Sequence, residues 1–203
     1  TLHRERIMTA AENLFSEKGY AQTTIDDISK ASEYSRRTIY AYYESKGDIL
    51  HHIIEKGLRT LKTDIENVVN DNAGFVDAYR EVCRAKSRYS KEYPLSLEIL
   101  KHSGAVEIEQ VAASDTVKKI LCLGTEINEI LEALIVRGQK SGEVRKEVVP
   151  GMTVYVLSTS LDSLIALVET KGKFICGQNG MTEDEFLDYG FRQIINSILE
   201  VRI

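Results

Sequence analysis

Apolar residues recur at helical spacing along most of the chain. Near the amino end Ile7, Ala11 and Phe15 fall four residues apart, and Gly19 follows where a helix can end in a left-handed conformation. Only 2 of 203 residues are proline, the residue that most reliably breaks helices. No run with the alternation typical of β-strands competes with this pattern. We therefore predict an all-α fold of about nine helices.

Four helix starts fall within the first 50 residues. Thr24 is followed three residues later by Asp27, a pattern typical of a helix N-cap with an acidic residue in the first turn. Ser35 is placed to cap the next helix, which we expect to run to about Tyr43, and Ser45 is placed to cap a fourth. So many starts in so short a segment predict a small domain.

Residues 24–43 have the order helix, short turn, helix, which makes them a helix-turn-helix candidate. On a helical wheel Ile39 lies on the core side of the second helix, whereas Arg37 and Ala41 lie opposite. A cationic and hydrogen-bonding outer face suits the major groove of DNA. We therefore predict that residues 1–50 form a helix-turn-helix DNA-binding domain, with three helices followed by the start of the fourth.

Longer helices follow in residues 51–203, which we predict to be a second, larger domain. A short helix is expected at residues 95–102, and the segment 152–168 is apolar over most of its circumference, which favours burial on more than one side. The last helix starts with Thr182 as N-cap and Glu185 at the capping-box position.

The charge is unevenly distributed. The whole chain has 26 basic and 31 acidic residues and a net charge of −5, which excludes a general polyanion binder. Residues 34–46 nevertheless have a net charge of +2, whereas residues 51–203 have a net charge of −4. Binding to DNA would therefore depend on a few well-placed contacts.

The three cysteines, Cys83, Cys122 and Cys176, are odd in number and widely spaced, so we expect reduced, structural thiols. The sequence shows no charged-then-apolar leader, and residues 152–168 contain too many hydroxyl side chains for a membrane span. We expect a soluble, cytoplasmic protein.

Candidate catalytic and metal-binding patterns are weak. His51 and His52 are adjacent and project about 100° apart on a helix, so they cannot chelate one ion from a single face, and His102 is far along the chain. No nucleophile–base arrangement or phosphate-binding glycine loop is present in the sequence. We expect no enzyme activity, no cofactor and no metal site.

About 50 consecutive positions resemble the TetR family of bacterial transcription regulators. The resemblance rests on the capped first helix, the threonine pair, the Thr-x-Tyr of the second motif helix and the Ser-Lys that opens the fourth helix, in residues 6–20, 23–31, 35–43 and 45–50. Beyond residue 60 the resemblance is one of architecture.

The resemblance implies a set of DNA-binding residues. Ser35 caps the recognition helix, and base edges would be contacted by Arg36, Arg37, Thr38 and Ala41. Backbone phosphates would be contacted by Thr24, Tyr40, Tyr42 and Lys46. Arg37 is the best candidate for a bidentate guanine contact.

Two positions depart from the family pattern. Glu33 stands in the turn where the family usually has Gly, so either a left-handed backbone is strained there or the turn differs. Tyr43 stands where Phe is usual, and its hydroxyl group needs a hydrogen-bond partner when buried.

The resemblance also implies a homodimer and a small-molecule ligand, with residues 51–203 as the ligand-binding and dimerisation domain. We predict a dimer interface on the last two helices, formed by Leu161, Leu164, Val168, Phe191, Ile195 and Ile198. The candidate ligand-binding residues are Tyr79, Cys83, Tyr89, Leu97, Leu100, Ile127 and Tyr155. In both sets the alternative is that the side chains only complete the core of the monomer.

We thus predict a dimeric, sequence-specific repressor that binds a double-stranded DNA operator and is released by an apolar or aromatic ligand. The alternative is a helical interaction or ligand-sensing adaptor that does not bind DNA, which would leave the cationic face of Arg36 and Arg37 unexplained.

Overall fold

The computed structural model describes residues 2–94 and 114–201, and these form eight helices. In chain order they are α1 (Leu2–Lys18), α2 (Ile25–Ser32), α3 (Arg36–Tyr42), α4 (Lys46–Asp71), α5 (Phe75–Glu92), α6 (Asp115–Ser141), α7 (Pro150–Asn179) and α8 (Glu183–Asn196). Within the same residues, β-structure is limited to one antiparallel bridge between Val144 and Leu199. The all-α prediction is confirmed, and the helix predicted at residues 95–102 lies outside the described residues.

The chain divides into two compact units. The first comprises the described residues of Thr1–Thr60 and Lys91–Gly124, and the second those of Leu61–Ser90 and Thr125–Ile203. Helix α4 continues without a break through residue 60, where the division falls, and the domain boundary predicted at residue 50 lies within α4.

The first unit has a core built from α1, α2, α3 and the start of α4. Five large side chains there are at most 1 % exposed, namely Ile7, Phe15, Ile28, Ile39 and Ile49. Burying each of them contributes roughly 1.5–3 kcal/mol of hydrophobic stabilisation, before the cost of ordering the chain. Since Ile39 is the buried residue of α3, this core fixes which face of α3 points outward.

Local capping determines where the short helices begin. Thr24 and Asp27 form a reciprocal capping box, in which the Thr24 N–H donates to the Asp27 carboxylate at 2.8 Å and the Asp27 N–H donates to the Thr24 hydroxyl at 3.2 Å. The Ser35 and Ser45 hydroxyls each accept a hydrogen bond from the backbone N–H three residues later, at 3.1 and 3.0 Å. The predicted starts of α2, α3 and α4 are therefore confirmed.

Helix α7 is longer than predicted. It begins with Pro150 in its first turn and ends before Gly180, whose φ of 65° lets the chain leave the helix in the left-handed conformation. The sequence pattern placed the end near Val168, but the helix continues through Gly172, which is buried against α8. A Cβ atom on Gly172 would lie 3.1 Å from the Glu183 side chain, so the glycine permits this close approach.

By length and composition, α7 is apolar enough to cross a membrane, contrary to the expectation from its hydroxyl residues. One side of the helix is part of the protein core, however, because Val154, Leu157, Leu161 and Ile165 are 1–3 % exposed. Core helices of soluble proteins pass the same test of length and composition.

The junction between α4 and α5 is held by two charged side chains from α6 and the loop after it. The Arg137 guanidinium donates to the carbonyls of Val69 and Asn72 at 3.0 and 2.9 Å, near the end of α4. The Glu143 carboxylate accepts from the backbone N–H of Phe75 at the start of α5, at 3.0 and 3.1 Å. These positions suit the helix dipoles, since a cation meets a carboxyl end and an anion meets an amino end.

Candidate nucleic-acid interface

The recognition helix α3 is only seven residues long and is held at both ends. Ser35 caps its start, and the backbone N–H of Tyr43 donates to the Ile39 carbonyl at its end. Tyr43 is 3 % exposed, and its hydroxyl group donates to the Arg4 carbonyl at 3.0 Å. Burial raises the pKa of Tyr43, so the hydroxyl keeps its proton and remains a donor. The partner that this tyrosine required is thus supplied by α1.

The outward face of α3 carries Arg37, Tyr40 and Ala41, all of which are exposed. Tyr40 is 54 % exposed although it is a large aromatic residue. Within the described residues, no hydrogen bond or ion pair occupies the Arg37 guanidinium. An exposed arginine beside a tyrosine hydroxyl and a small side chain can donate to base edges and to phosphates.

Arg36 differs from its neighbour because it already has a partner. Its guanidinium forms a two-point ion pair with the carboxylate of Asp26 in the first turn of α2. The pair directs Arg36 toward α2, away from the face that carries Arg37. Asp26 was not among the predicted site residues, although its place in the first turn of α2, one helix before Arg36, is visible in the sequence.

Other predicted DNA contacts are engaged within the protein. The Lys46 ammonium donates to the carbonyls of Tyr20 and Thr23, both at 2.8 Å, and lies 4.2 Å from the centre of the Tyr20 ring. The Thr24 hydroxyl donates to the Asp27 carboxylate at 2.6 Å. Lys46 therefore joins the start of α4 to the loop between α1 and α2, and in this state its charge is already satisfied by protein groups.

The remaining predicted contacts, Thr38 and Tyr42, are half-buried. The Thr38 hydroxyl lies 2.9 Å from that of Ser35, and the Tyr42 ring stacks on His3 with centroids 6.0 Å apart. The predicted residues between 35 and 42 therefore lie on α3 or at its cap. They differ in how far DNA could reach them, since some are exposed and others are half-buried or already paired within the protein.

The turn between α2 and α3 adopts the left-handed conformation at Glu33, with φ 62° and ψ 23°. Of the two alternatives for this departure from Gly, the strained left-handed backbone is the one observed. The Arg6 guanidinium pairs with the Glu33 carboxylate at 3.0 Å and lies 5.5 Å from the centre of the Tyr34 ring. His3 also reaches the turn, 2.7 Å from the Tyr34 hydroxyl.

Asp27 is the carboxylate with the most strongly lowered pKa in this unit. Hydrogen bonds from Lys18, at 2.7 Å, and from Thr24 hold the pKa of Asp27 well below the ordinary value of an aspartate. Asp27 is therefore ionised at neutral pH, where it satisfies the capping box and neutralises Lys18.

Comparisons with known proteins agree with this geometry. Residues 7–53 match the model of the family described as bacterial regulatory proteins, tetR family. This amino-terminal segment belongs to the TetR family. The matched segment contains α1, α2, α3 and the start of α4, the same elements that build the candidate interface.

Known proteins also match over most of the chain. The uncharacterized HTH-type transcriptional regulator YhgD of Bacillus subtilis (strain 168) is 24 % identical over 165 residues, which cover 81 % of this chain and 82 % of that protein. The HTH-type transcriptional repressor DhaR of Mycobacterium sp. (strain GP1) is 22 % identical over 96 % of this chain and 93 % of its own. The crystal structure of the TetR-family regulator PfmR from Thermus thermophilus has a TM-score of 0.70 and 26 % identity, covering 93 % of this chain and 96 % of that chain. All three are named as transcription regulators, and DhaR is named as a repressor.

The predicted ligand residues differ in burial. Tyr79, Cys83 and Tyr89 are buried on α5, and Ile127 is buried on α6. Tyr155 is 62 % exposed. Leu97 and Leu100 lie outside the described residues.

The buried cysteines fit a structural role. Burial raises the pKa of the Cys83 thiol to about 12, so almost no thiolate is present at neutral pH. Burial also raises the pKa of Cys176, helped by the nearby Glu183. All three cysteines are free, and Cys122 is exposed.

The six residues predicted for the dimer interface are mostly buried within the single chain. Five are buried within the single chain, namely Leu161, Val168, Phe191, Ile195 and Ile198. Leu164 is half-buried and packs on α8 so closely that a Cβ atom on Gly190 would lie 2.4 Å from its side chain. Because α7 and α8 pack their apolar stripes on each other within one chain, these residues complete the monomer core. This was the alternative that the sequence left open.

The apolar residues that remain exposed on α7 and α8 are different ones. They are Met152, Tyr155, Val156, Leu167 and Phe174 on α7, with Tyr189 on α8. Among the described residues, no group of three or more His, Cys, Asp or Glu side chains is arranged to bind a metal ion.

Proposed function

We propose that this protein is a dimeric repressor that binds an operator in double-stranded DNA through α3 and releases it when a small molecule binds. The main support is the outward face of α3, where Arg37 and Tyr40 are exposed while Ile39 and Tyr43 are buried. Exposed groups of this kind contribute little to the stability of the chain. In the major groove of DNA they could donate hydrogen bonds to base edges.

A dimer is needed because one recognition helix covers a single half-site. In symmetric dimers of helix-turn-helix proteins the two half-sites lie about 34–36 Å apart, one turn of DNA. We propose that the two protomers meet through the exposed apolar residues of α7. Met152, Tyr155 and Val156 lie near its start and Phe174 near its end, with small side chains such as Ser163 between them.

This arrangement is self-complementary for an antiparallel pair of α7 helices. If Ser163 of both protomers lies at the two-fold axis, Met152 of one protomer is level with Phe174 of its partner. Small residues at the centre let the two helices approach closely, and the bulky residues at each end then bury one another.

The ligand would bind in the second unit. Its interior carries Tyr79 and Cys83, which are at most 5 % exposed and share a hydrogen bond. An ion pair between Lys86 and Asp162, at 2.8 Å, links α5 to α7, so these two charges compensate each other. An apolar or aromatic ligand would therefore suit this interior better than a strongly charged one.

The coupling between ligand and DNA would pass through α4. This helix starts at Lys46, beside the recognition helix, and its last residues are held by Arg137. A continuous 26-residue helix can transmit a displacement from one end to the other. Allosteric coupling of this kind is typically ~1–3 kcal/mol in binding free energy.

The function is tested by selecting duplexes from a random-sequence DNA library with the purified dimer and measuring the affinity of the selected duplex. Arg37→Ala should weaken binding to the selected duplex by roughly 1–3 kcal/mol and relax the preference at one position in each half-site. Arg88→Ala on α5 is the matched control, because it removes the same charge from an exposed position outside α3.

The runner-up function is a helical adaptor or ligand sensor that does not bind DNA. Under that hypothesis the selection enriches no sequence, and Arg37→Ala and Arg88→Ala behave alike. Regulators of the TetR family are typically cytoplasmic, in keeping with DNA as the partner.

A further inference from the structure

We propose that Asp26 is a positioning residue for DNA binding, which keeps Arg36 in an intramolecular ion pair and so prevents it from adding a sequence-independent phosphate contact. The inference rests on the proposed DNA-binding function. It concerns how the DNA-binding surface limits the affinity of the protein for DNA of random sequence.

The acidic residues of α2 and the following turn are all neutralised by basic residues. Each of the three has its own partner, in the pairs Asp26–Arg36, Asp27–Lys18 and Glu33–Arg6. In two of these pairs the cation comes from α1. Only Asp26 takes its cation from the recognition helix, so only this pair removes a positive charge from the helix that would enter the groove.

The position of the pair favours a phosphate as the competing partner. In a helix-turn-helix the first helix crosses the DNA backbone and the second lies in the major groove. Arg36 is turned toward the first turn of α2 by Asp26, whereas Arg37 and Ala41 occupy the outer face. A released Arg36 guanidinium would therefore be near the backbone rather than near base edges.

The pair is accessible, but opening it beside DNA is unfavourable. The side chains of Arg36 and Asp26 are 64 % and 46 % exposed, so solvent weakens their attraction. If Arg36 moved to a phosphate, however, the Asp26 carboxylate would be left without its partner next to the negatively charged backbone. The two-point geometry of a guanidinium with a carboxylate also favours the closed pair. We therefore expect the pair to persist in the complex with DNA.

The decisive variant is Asp26→Asn in the full-length dimer, which keeps the shape of the side chain and removes its charge. The probe is a fluorescein-labelled pool of random-sequence duplexes of about 30 base pairs, long enough for two half-sites. Affinity is measured by fluorescence anisotropy between about 50 and 200 mM salt, since each additional phosphate contact steepens the log–log salt dependence by about 0.9.

We expect Asp26→Asn to bind the random pool about tenfold more tightly at the lowest salt, with a slope steeper by about 2 per dimer. Arg36→Ala alone should weaken binding to this pool, because it leaves the Asp26 carboxylate without its partner beside the negatively charged backbone, and it should not steepen the salt dependence. In the Arg36→Ala background, Asp26→Asn should no longer steepen the salt dependence, which a double-mutant cycle on the slope measures directly.

Glu17→Gln is the matched control, because it removes one negative charge from an exposed position on α1. It should leave the salt slope unchanged. Circular dichroism melting curves confirm that each variant is folded, and a merely structural role of Asp26 would lower the melting temperature without changing the slope.

An unchanged slope for Asp26→Asn, or an equal steepening of the slope with and without Arg36, would overturn the inference while wild-type binding to DNA still stood. Failure of the wild type to bind any duplex would overturn the proposed function itself, and the inference with it.

Discussion

Helices α3 and α7 are stabilised in opposite ways. Helix α3 has seven residues, buries Ile39 alone, and depends on the Ser35 cap and on contacts from other helices at its ends. Helix α7 has thirty residues and buries a stripe that includes Leu157, Leu161 and Ile165. The short helix is held by local hydrogen bonds, whereas the long one is held by the apolar surface that it removes from water.

The comparison shows how a partner surface can be recognised on each helix. On α3 the unexplained feature is polar, namely an exposed Arg37, because its neighbour Arg36 is already paired with Asp26. On α7 the unexplained feature is apolar, namely exposed Met152, Tyr155 and Phe174 on a helix whose other side is already buried. In both cases the informative residues are those that the stability of the single chain does not require.

The largest effect on stability should come from a substitution on the buried side of α7. Leu161→Ala removes a side chain that is 1 % exposed and should lower the free energy of unfolding by about 2–5 kcal/mol, through lost burial and a cavity. Urea denaturation followed by circular dichroism measures it. Leu167→Ala is the matched control on the same helix, at 37 % exposure, and should lower the free energy of unfolding by less than about 1 kcal/mol. Equal losses would mean that α7 has no distinct buried side.

The exposed side of α7 should affect assembly. Phe174→Ser removes a large aromatic side chain from each protomer and should raise the dissociation constant of the dimer by more than about tenfold, as expected for a bulky aromatic residue that an interface buries. Light scattering over a dilution series measures the dimer fraction. Tyr40→Ser, which removes an exposed aromatic residue from α3, should leave the dissociation constant of the dimer unchanged. An unchanged dimer in both variants would place the interface elsewhere.

The hydrogen bonds at the start of α2 should make the stability of the protein depend on pH. The pKa of Asp27 is lowered in the folded protein, chiefly by Lys18, so its stabilising contribution is complete above the ordinary pKa of about 3.9. That contribution is lost as the pH falls toward the lowered pKa. We expect Asp27→Asn to reduce the melting temperature at pH 7 and to do so progressively less below about pH 4. Lys18→Gln should show the same pH dependence of the melting temperature with a smaller amplitude. A difference in melting temperature between wild type and Asp27→Asn that does not vary with pH would contradict this assignment.

The features predicted correctly from the sequence are mostly local. The caps at Thr24, Ser35 and Thr182 depend on residues three positions apart, and such short-range patterns are readable without the fold. The need of the Tyr43 hydroxyl for a partner was also predictable, although the identity of that partner, the Arg4 carbonyl, was not.

The features that were missed depend on contacts between distant positions. Lys46 stays a predicted phosphate contact, but its ammonium donates hydrogen bonds to the carbonyls of Tyr20 and Thr23, more than twenty residues earlier in the chain. On α7 the pattern is apolar around most of the helix, so periodicity could not decide which side meets α8 and which remains exposed. The larger aliphatic residues, such as Leu161, lie inside, and the exposed side mixes aromatic with hydroxyl residues.

The smallest effect should come from the turn that joins α2 to α3. Glu33→Gly relieves a left-handed backbone that costs an ordinary residue roughly 1–2 kcal/mol. The same change adds conformational entropy to the unfolded chain, which costs about 0.4–1 kcal/mol, and it removes the exposed pair with Arg6, which contributes at most about 1 kcal/mol. These effects nearly cancel, so we expect the free energy of unfolding to change by less than about 1 kcal/mol.

Arg6→Ala separates the two contributions at this turn. In the wild-type background it removes the pair with Glu33 and the contact with the Tyr34 ring, so it should destabilise slightly. In the Glu33→Gly background Arg6→Ala removes only the ring contact. It should therefore lower the free energy of unfolding by less than it does in the wild-type background. If Glu33→Gly instead destabilises by several kcal/mol, the pair with Arg6 outweighs the backbone strain, and α3 would depend on a surface ion pair more than on its cap.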